Sequence, residues 1–577
     1  MSRTVSIGCQ DFETIQKEGY FYIDKTDFIR EWWERGDSVT LITRPRRFGK
    51  TLTLSMVEKF FSLEYADRGS LFQGLKIWEK EKYRELQGTY PVVFLSFADV
   101  KEPSFEHARK IICRIIKMLY SRYEFLLETD VLTESEKEDF SKISADMDKD
   151  EAAFSLKALC SYLFRYYDKK VILLLDEYDT PMQEAYVHGY WDEMVSFTRS
   201  LFNAAFKTNP YLDRAIMTGI TRVSKESMFS DLNNLEAAAI TAKAYADSFG
   251  FTEEEVFAAL NEFGLGDRKE EVKQWYDGFN FGERRDIYNP WSIINYLDKG
   301  KLALYWVNTS SNSLAGKLIQ EGSPEIKMTM EGLLEGGSFH ILMDEQIAFH
   351  MLEYEDEAVW SLLYASGYLT AERAEFNPEA GKIEAQLRLT NREVRFMFLH
   401  LIQGWFGRSR RVNNAFLQAL LEDDVKAMNI FMNKVALQTF SYFDTGKNPS
   451  EEEPERFYHG FVLGMMVELR DRYIITSNRE SGFGRYDVML EPVEGKEEDD
   501  AIIIEFKVQE PEDEPELADT VKEALNQIHR KKYQAALEAR GIPRERIRKY
   551  GFAFCGKRVL IGRGENPGGA GTVRSLE

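Results

Sequence analysis

Cysteine is scarce in this chain: Cys9, Cys113, Cys160 and Cys555 are the only four in 577 residues, with no CxxC pair. The seven histidines do not join them at zinc-ligand spacing. A disulfide framework and a structural zinc site are both unsupported, and the composition suits a reducing, cytoplasmic setting. Long apolar runs are missing too. No stretch reaches the roughly 18 uninterrupted apolar residues of a membrane span, and the opening MSRTVSIGCQDFE lacks the apolar core of a secretory signal. The chain reads as soluble, with no membrane partner. There is no internal repeat. Positive charge is in deficit, 74 Lys and Arg against 96 Asp and Glu, for a net charge of −22. That argues against a surface coated for indiscriminate DNA binding, since phosphate contacts need local positive potential. A nucleic-acid site would have to be a local basic groove. The candidate clusters are Arg408, Arg410 and Arg411, then Arg530 to Lys532, then Arg540 to Lys549; each also reads as a solvated helix face.

What is present is ample core material: 44% hydrophobic residues and 13% aromatics, in a chain long enough for several domains. Over the first 245 residues, short apolar runs at Val39 to Thr43, Val92 to Phe97, Val171 to Leu175 and Ala215 to Thr218 alternate with helical patterns. Strands apolar throughout and separated by helices predict a parallel sheet covered on both faces. From 246 to 345 the pattern predicts helices. Thr252 with Glu255 forms a capping box, and Asn289 caps a helix whose first position is Pro290. Nearby, Trp275, Tyr276, Phe279, Phe281, Tyr288 and Trp291 read as a packed core before they read as a base-stacking platform. Residues 346 to 445 predict more helices with a β-like segment near 388, and 446 to 455 is a linker by composition.

The segment LITRPRRFGKTLTL runs a β-strand directly into a helix. Backbone N–H groups at a helix start, together with the helix dipole, favour a phosphate there. Arg47, Phe48, Gly49, Lys50, Thr51 and Leu52 are the candidate cradle, with Lys50 reaching the β- and γ-phosphates and Thr51 ligating Mg²⁺. The GxxxxGK[ST] pattern is met except at its first glycine, where Arg44 stands. VILLLDEYD then ends a buried strand on Asp176, for the Mg²⁺ shell, and Glu177, for the attacking water. AIMTG ends on Thr218, which could sense the γ-phosphate, and Arg222 follows as a candidate for neutralising transition-state charge; it also reads as a structural ion-pair partner.

EGYFYIDKTDFI, ITRPRRFGKT, LLLDEYDTP, TGITRVSKESMFSDLNNL, WYDGFNFG and YNPWSI together resemble the bacterial AAA-ATPase-like family. Its members commonly end in a module of the PD-(D/E)XK nuclease superfamily. The resemblance covers residues 5 to about 312 and the last 120, and in that family the Arg44 form of the loop is usual. It implies ATP binding and hydrolysis. It also suggests that Asp24, Lys25 and Thr26 line the nucleotide pocket, although the same element reads as a turn with a surface salt bridge.

Near the C-terminus, Tyr473 to Ser477, Tyr486 to Leu490, Ala501 to Phe506 and Tyr550 to Cys555 read as strands, with a helix from Phe457 to Leu469 before them. In AIIIEFKV, period-two alternation points Glu505 and Lys507 to one face. Pairing with the strand of Asp487 would bring two carboxylates together as a hard oxygen site for Mg²⁺, with Lys507 to position a water. Glu468, Gln527 and Tyr533 are further candidates.

The expectation is an α/β multidomain protein. A P-loop NTPase with a parallel sheet spans 1–245, a helical lid 246–345, a mainly helical connecting domain 346–445, and a restriction-endonuclease-like α/β domain 456–577. Its cofactors would be ATP and Mg²⁺. DNA is a candidate partner, as is a second copy of the chain. The competing expectation is a nucleotide-switched signalling or scaffold protein whose last domain binds without cleaving.

Overall fold

The computed structural model describes residues 3–223, 232–309, 313–343, 346–347, 349–407, 410–439, 472–481, 484–493, 498–509, 514–555 and 558–564, with isolated positions between 462 and 469. It divides into two compact units, residues 1–318 with 336–397 and residues 319–335 with 398–577.

The first unit is built on a five-stranded parallel sheet of β1 (Val39–Thr43), β2 (Val92–Ser96), β3 (Val171–Asp176), β4 (Leu212–Gly219) and β6 (Leu235–Ala238). The short β5 (Arg222–Val223) lies outside it. The spatial order is β2-β3-β4-β1-β6. Every residue of β1 and β3 is buried, as strands covered on both faces require. Because β4 stands between β1 and β3, the carboxyl ends of those two strands flank a crevice, the usual ligand position in open α/β sheets. Helix Lys50–Phe61 starts at that edge, with Gly49 at its cap in the left-handed region (φ 85°) that glycine occupies without strain.

Residues 246–345 carry the expected helices, Glu253–Glu262, Lys269–Tyr276, Pro290–Lys299, Ser313–Glu321 and Pro324–Leu334, but not helices alone. Thr252 does close a capping box with Glu255, and Asn289 does accept from the N–H groups of Trp291 and Ser292. Between those helices, however, lies an antiparallel sheet of β7 (Phe251–Thr252), β8 (Phe279–Phe281) and β9 (Arg284–Tyr288), in the order β7-β9-β8. The aromatic cluster supplies its core: Tyr276, Phe279, Phe281 and Tyr288 are buried. Farther on, β10 (Phe339–Met343) pairs with a hairpin of β12 (Leu369–Asn377) and β13 (Lys382–Leu389), and the two-residue β11 (Gln346–Ile347) pairs with β5.

The second unit carries a mixed sheet of β14 (Tyr473–Ser481), β15 (Gly484–Pro492), β16 (Ala501–Val508), β17 (Ile547–Cys555) and β18 (Arg558–Arg563), in that spatial order. Only β16 and β17 run parallel to one another. One face buries Val488, Leu490, Ile502, Ile504, Phe506 and Phe552 against Phe416, Leu420, Met428 and Met432. The other packs against helix Leu517–Lys531; a Cβ on Gly551 would come within 2.8 Å of the Val521 carbonyl, so glycine permits that approach. The edge strand β18 is closed by two asparagines one helical turn apart. Asn429 and Asn433 each donate to and accept from its backbone, at Ile561 and Val559, over 2.6–2.9 Å. The linker 446–455, Glu468 and most of the expected helix Phe457 to Leu469 lie outside the described residues.

Candidate functional site

At the carboxyl edge of the first sheet a cavity of about 500 Å³ opens over the start of helix Lys50–Phe61. Arg47, Phe48, Gly49, Lys50, Thr51 and Leu52 all lie in its wall, as do Asp176 and Glu177. Lys50 is buried, its Nζ donating to the carbonyls of Arg44 and Pro45 at 3.0 Å. The loop is thus tied down by the amine that would serve a phosphate. Where the usual pattern has a glycine, the buried Arg44 braces the loop instead, donating to the carbonyls of Thr43, Ala238 and Ala239 at 2.8–2.9 Å and lying 4.7 Å over the Phe281 ring.

Thr51 Oγ1 donates to Asp176 Oδ2 at 2.7 Å, and Thr218 Oγ1 donates to the other oxygen at 2.5 Å. Burial pushes the Asp176 carboxyl above its ordinary value, and the neighbouring Glu177 charge adds to this. Glu177 has left-handed backbone (φ 52°), and its carboxylate accepts from the Thr180 hydroxyl at 3.0 Å. A hydroxyl and a carboxylate at hydrogen-bond distance are hard oxygen donors of the kind Mg²⁺ takes.

Two expected residues stand elsewhere. Thr218 lies behind Asp176 and is not part of the cavity wall, its hydroxyl being spent on that carboxylate. Arg222 is half-buried on β5, level with Gln346, and is also absent from the wall. Of the element at 24–26, only Lys25 reaches the cavity, and its Nζ pairs with Glu255 at 2.7 Å. Asp24 instead caps its own turn, accepting from the N–H and hydroxyl of Thr26.

Sequence reasoning missed Asp179. This fully buried carboxylate accepts from the N–H groups of Ile220 and Thr221, the Thr221 hydroxyl and Gln183, all at 2.9–3.0 Å. It fixes the turn after β4. Its signal was the second aspartate of DEYD. Arg46 and Gln183 were also overlooked, and Trp291 was read only as part of an aromatic core; their contacts are distant in sequence.

In the second unit, the pairing of Val488 with Ile504 sets Asp487 level with Glu505. Asp487 Oδ2 accepts from the N–H of Phe506 at 2.8 Å. Gln527, on helix Leu517–Lys531, donates to Glu505 and lies 3.5 Å from the Tyr533 hydroxyl. Burial, together with the charges of Glu505 and Asp487, pushes the Tyr533 phenol up to about 12. Lys507 is half-buried, two residues beyond Glu505 on the same strand face.

The basic stretch Arg540 to Lys549, one of the candidate basic clusters, is largely engaged within the unit. Arg540 pairs with Glu491, Arg546 and Arg548 pair with Asp500, and Lys549 is buried. Arg530 pairs with Glu523 at 2.6 Å. Arg408 and the side chains of Arg410 and Arg411 lie outside the described residues.

Two family matches fall on these two sites. Residues 6–229 match a family described as a predicted AAA-ATPase, and residues 453–564 match the PD-(D/E)XK nuclease superfamily. The chain joins an AAA-ATPase-like domain to a PD-(D/E)XK nuclease superfamily domain. The ATPase-like match contains the entire loop from Arg44 to Thr51 and the Asp176–Glu177 strand end, and the nuclease-superfamily match contains Asp487, Glu505 and Lys507. The chain is also similar to a protein of Azotobacter chroococcum mcd 1 named "Uncharacterized protein in vnfD 5'region", at 27% identity over 379 residues. That alignment covers 64% of this chain and 64% of the relative, so the chain spans less than two thirds of that protein's length. No described helix is long and apolar enough to cross a membrane.

Proposed function

We propose that the ATPase-like domain binds ATP with Mg²⁺ and hydrolyses it slowly, and that the nuclease-superfamily domain cleaves phosphodiester bonds of DNA with a divalent metal. The observation that carries the first half is the 2.7 Å bond between Thr51 and Asp176 beside Lys50, at a helix start that opens into a cavity. Lys50 exchanges its two carbonyl partners for phosphate oxygens. Glu177 orients the attacking water and takes its proton. When bound through Thr51 and Asp176, Mg²⁺ supplies charge neutralisation on the phosphate oxygens. In the second domain Asp487 and Glu505 hold a metal and Lys507 positions a water. Unbridged cysteines support a cytoplasmic setting for both activities.

Turnover and cleavage assays separate the two halves. Glu177→Gln keeps ATP affinity and loses turnover; unchanged turnover removes Glu177 from the mechanism. Asp487→Ala with Lys507→Ala abolishes Mg²⁺- or Mn²⁺-dependent cleavage of single- and double-stranded DNA. The internal pairing of Arg540, Arg546 and Arg548 favours a second reading, in which the last domain binds a partner without cleaving. ATP hydrolysis with no cleavage of any nucleic acid by wild type would decide for that signalling or scaffold role.

A further inference from the structure

The phosphate loop carries two adjacent arginines, and the structure sends them in opposite directions. Arg47, in left-handed backbone (φ 64°), lays its guanidinium 4.6 Å over the ring of Trp291. Arg46 turns the other way, its Nη2 donating to Gln183 Oε1 at 3.2 Å. Gln183 lies on helix Thr180–His188, which starts directly after the DEYD strand end. Both arginines line the cavity, and so do Glu177 and Thr180. Arg46 is therefore the loop arginine whose guanidinium is tied to the helix that follows Glu177.

Its position is held from three sides. The Arg46 carbonyl accepts from Asn289 Nδ2 at 3.2 Å and from Trp306 Nε1 at 2.9 Å, which fixes the backbone. Gln183, which steers the side chain, is itself held by Asp179 at 3.0 Å. Asp179 in turn grips Ile220 and Thr221. The bond to Gln183 uses one of the five N–H donors of a guanidinium, leaving a fork able to meet phosphate oxygens. A cation fixed before the reaction costs no reorganisation when charge develops.

The reaction needs such a cation. Phosphoryl transfer spreads negative charge over the equatorial oxygens of the transferred group, and Lys50 sits at the helix start, on the loop side of it. Arg222, the residue expected from sequence to answer that charge, is not in the cavity wall. The terminal phosphate must lie on the side of Glu177 for the water that Glu177 orients to attack in line.

We propose that Arg46 is a catalytic residue of ATP hydrolysis, supplied within the same chain, which donates to the oxygens of the terminal phosphoryl group as it is transferred, and that Gln183 is its positioning residue. This rests on the ATPase reading above. In the step, a water oxygen forms a bond to the γ-phosphorus. The bond from that phosphorus to the bridging oxygen breaks, its electron pair leaving on the β-phosphate of ADP. The water's proton passes to Glu177 and from there to the phosphate product. Arg46 keeps its charge throughout.

The test compares wild type, Arg46→Ala, Arg46→Lys and Gln183→Ala in three measurements: equilibrium ATP·Mg²⁺ binding, single-turnover hydrolysis, and binding of ADP with aluminium fluoride. Arg46→Ala is expected to bind ATP within a few-fold of wild type, to hydrolyse it about a thousandfold more slowly, and to lose tight binding of the aluminium fluoride complex. Arg46→Lys recovers only part of the rate, because a point charge does not reproduce the fork. Gln183→Ala gives an intermediate loss with ATP affinity intact. Mixing Arg46→Ala with Lys50→Ala restores nothing if the arginine acts in its own chain; recovery of turnover on mixing overturns that part. Wild-type turnover by Arg46→Ala, in a chain that binds and hydrolyses ATP, overturns this proposal alone. Failure of the wild type to bind ATP overturns it together with the reading beneath it.

Discussion

Glu393 is 1% exposed, yet it carries a carboxyl group whose oxygens accept from the Ser292 hydroxyl at 2.7 Å and the Trp306 N–H at 2.6 Å. Burial pushes its pKa up to about 7. The sign follows from linkage: the folded state holds a proton that the unfolded chain releases near the ordinary glutamate value of about 4.3. The stability from the neutral form is fully present below that value and is lost progressively until the pH has risen through about 7. Glu393→Gln should therefore flatten the pH dependence of the unfolding midpoint over that window; an unchanged slope would show that Glu393 is ionised when folded. Asp179 poses a different question, since one of its oxygens takes all four donors. Asp179→Asn keeps an acceptor there and should retain most stability and turnover. Asp179→Ala strands two buried N–H groups and should cost about 2–6 kcal/mol, read as a lower denaturant midpoint. Equal behaviour of the two variants would contradict the acceptor role.

Strand β18 depends on side chains of helix Val425–Thr439 in place of a neighbouring strand. Its four bonds to Asn429 and Asn433 are each worth about 1 kcal/mol, so replacing both residues with alanine should destabilise the second unit by about 3–4 kcal/mol. Chemical denaturation checks it; a loss under about 1 kcal/mol would mean the edge is held by apolar packing alone. Such features also show what the sequence could and could not disclose. The five principal strands of the two candidate sites, β1, β2, β3, β15 and β16, were legible because each is a run with an unambiguous apolar period. The caps at Thr252 and Asn289 were legible because a cap is local chemistry. Strands β7, β8 and β9 were not, since two to five residues carry too little pattern and their aromatic content also fits a helix core. Within the candidate site, Lys50, Thr51, Asp176 and Glu177 stand in recognisable order along the chain. Arg46 acquires its partners Gln183, Asn289 and Trp306 from 137 to 260 positions away, and nothing local announces them.

At the scale of the whole chain, an AAA-ATPase-like domain and a PD-(D/E)XK nuclease superfamily domain share one polypeptide of net charge −22. With Arg540, Arg546 and Arg548 ion-paired internally, nucleic-acid affinity is expected to be weak and to fall steeply with salt. A nucleotide can regulate the second domain only if it favours one arrangement of the chain over another. If so, ATP stimulates cleavage by wild type and not by Lys50→Ala, whereas equal cleavage with and without ATP makes the two domains independent. Both proposed activities of the first domain, binding and hydrolysis, require nucleotide to enter the cavity above Lys50. The direct measurement is isothermal titration of ATP, with and without Mg²⁺, into wild type, Lys50→Ala and Thr51→Ala. Wild type should bind ATP more tightly with Mg²⁺, Lys50→Ala should lose at least tenfold in affinity, and Thr51→Ala should lose the Mg²⁺ dependence. Wild-type affinity in Lys50→Ala would contradict the site assignment.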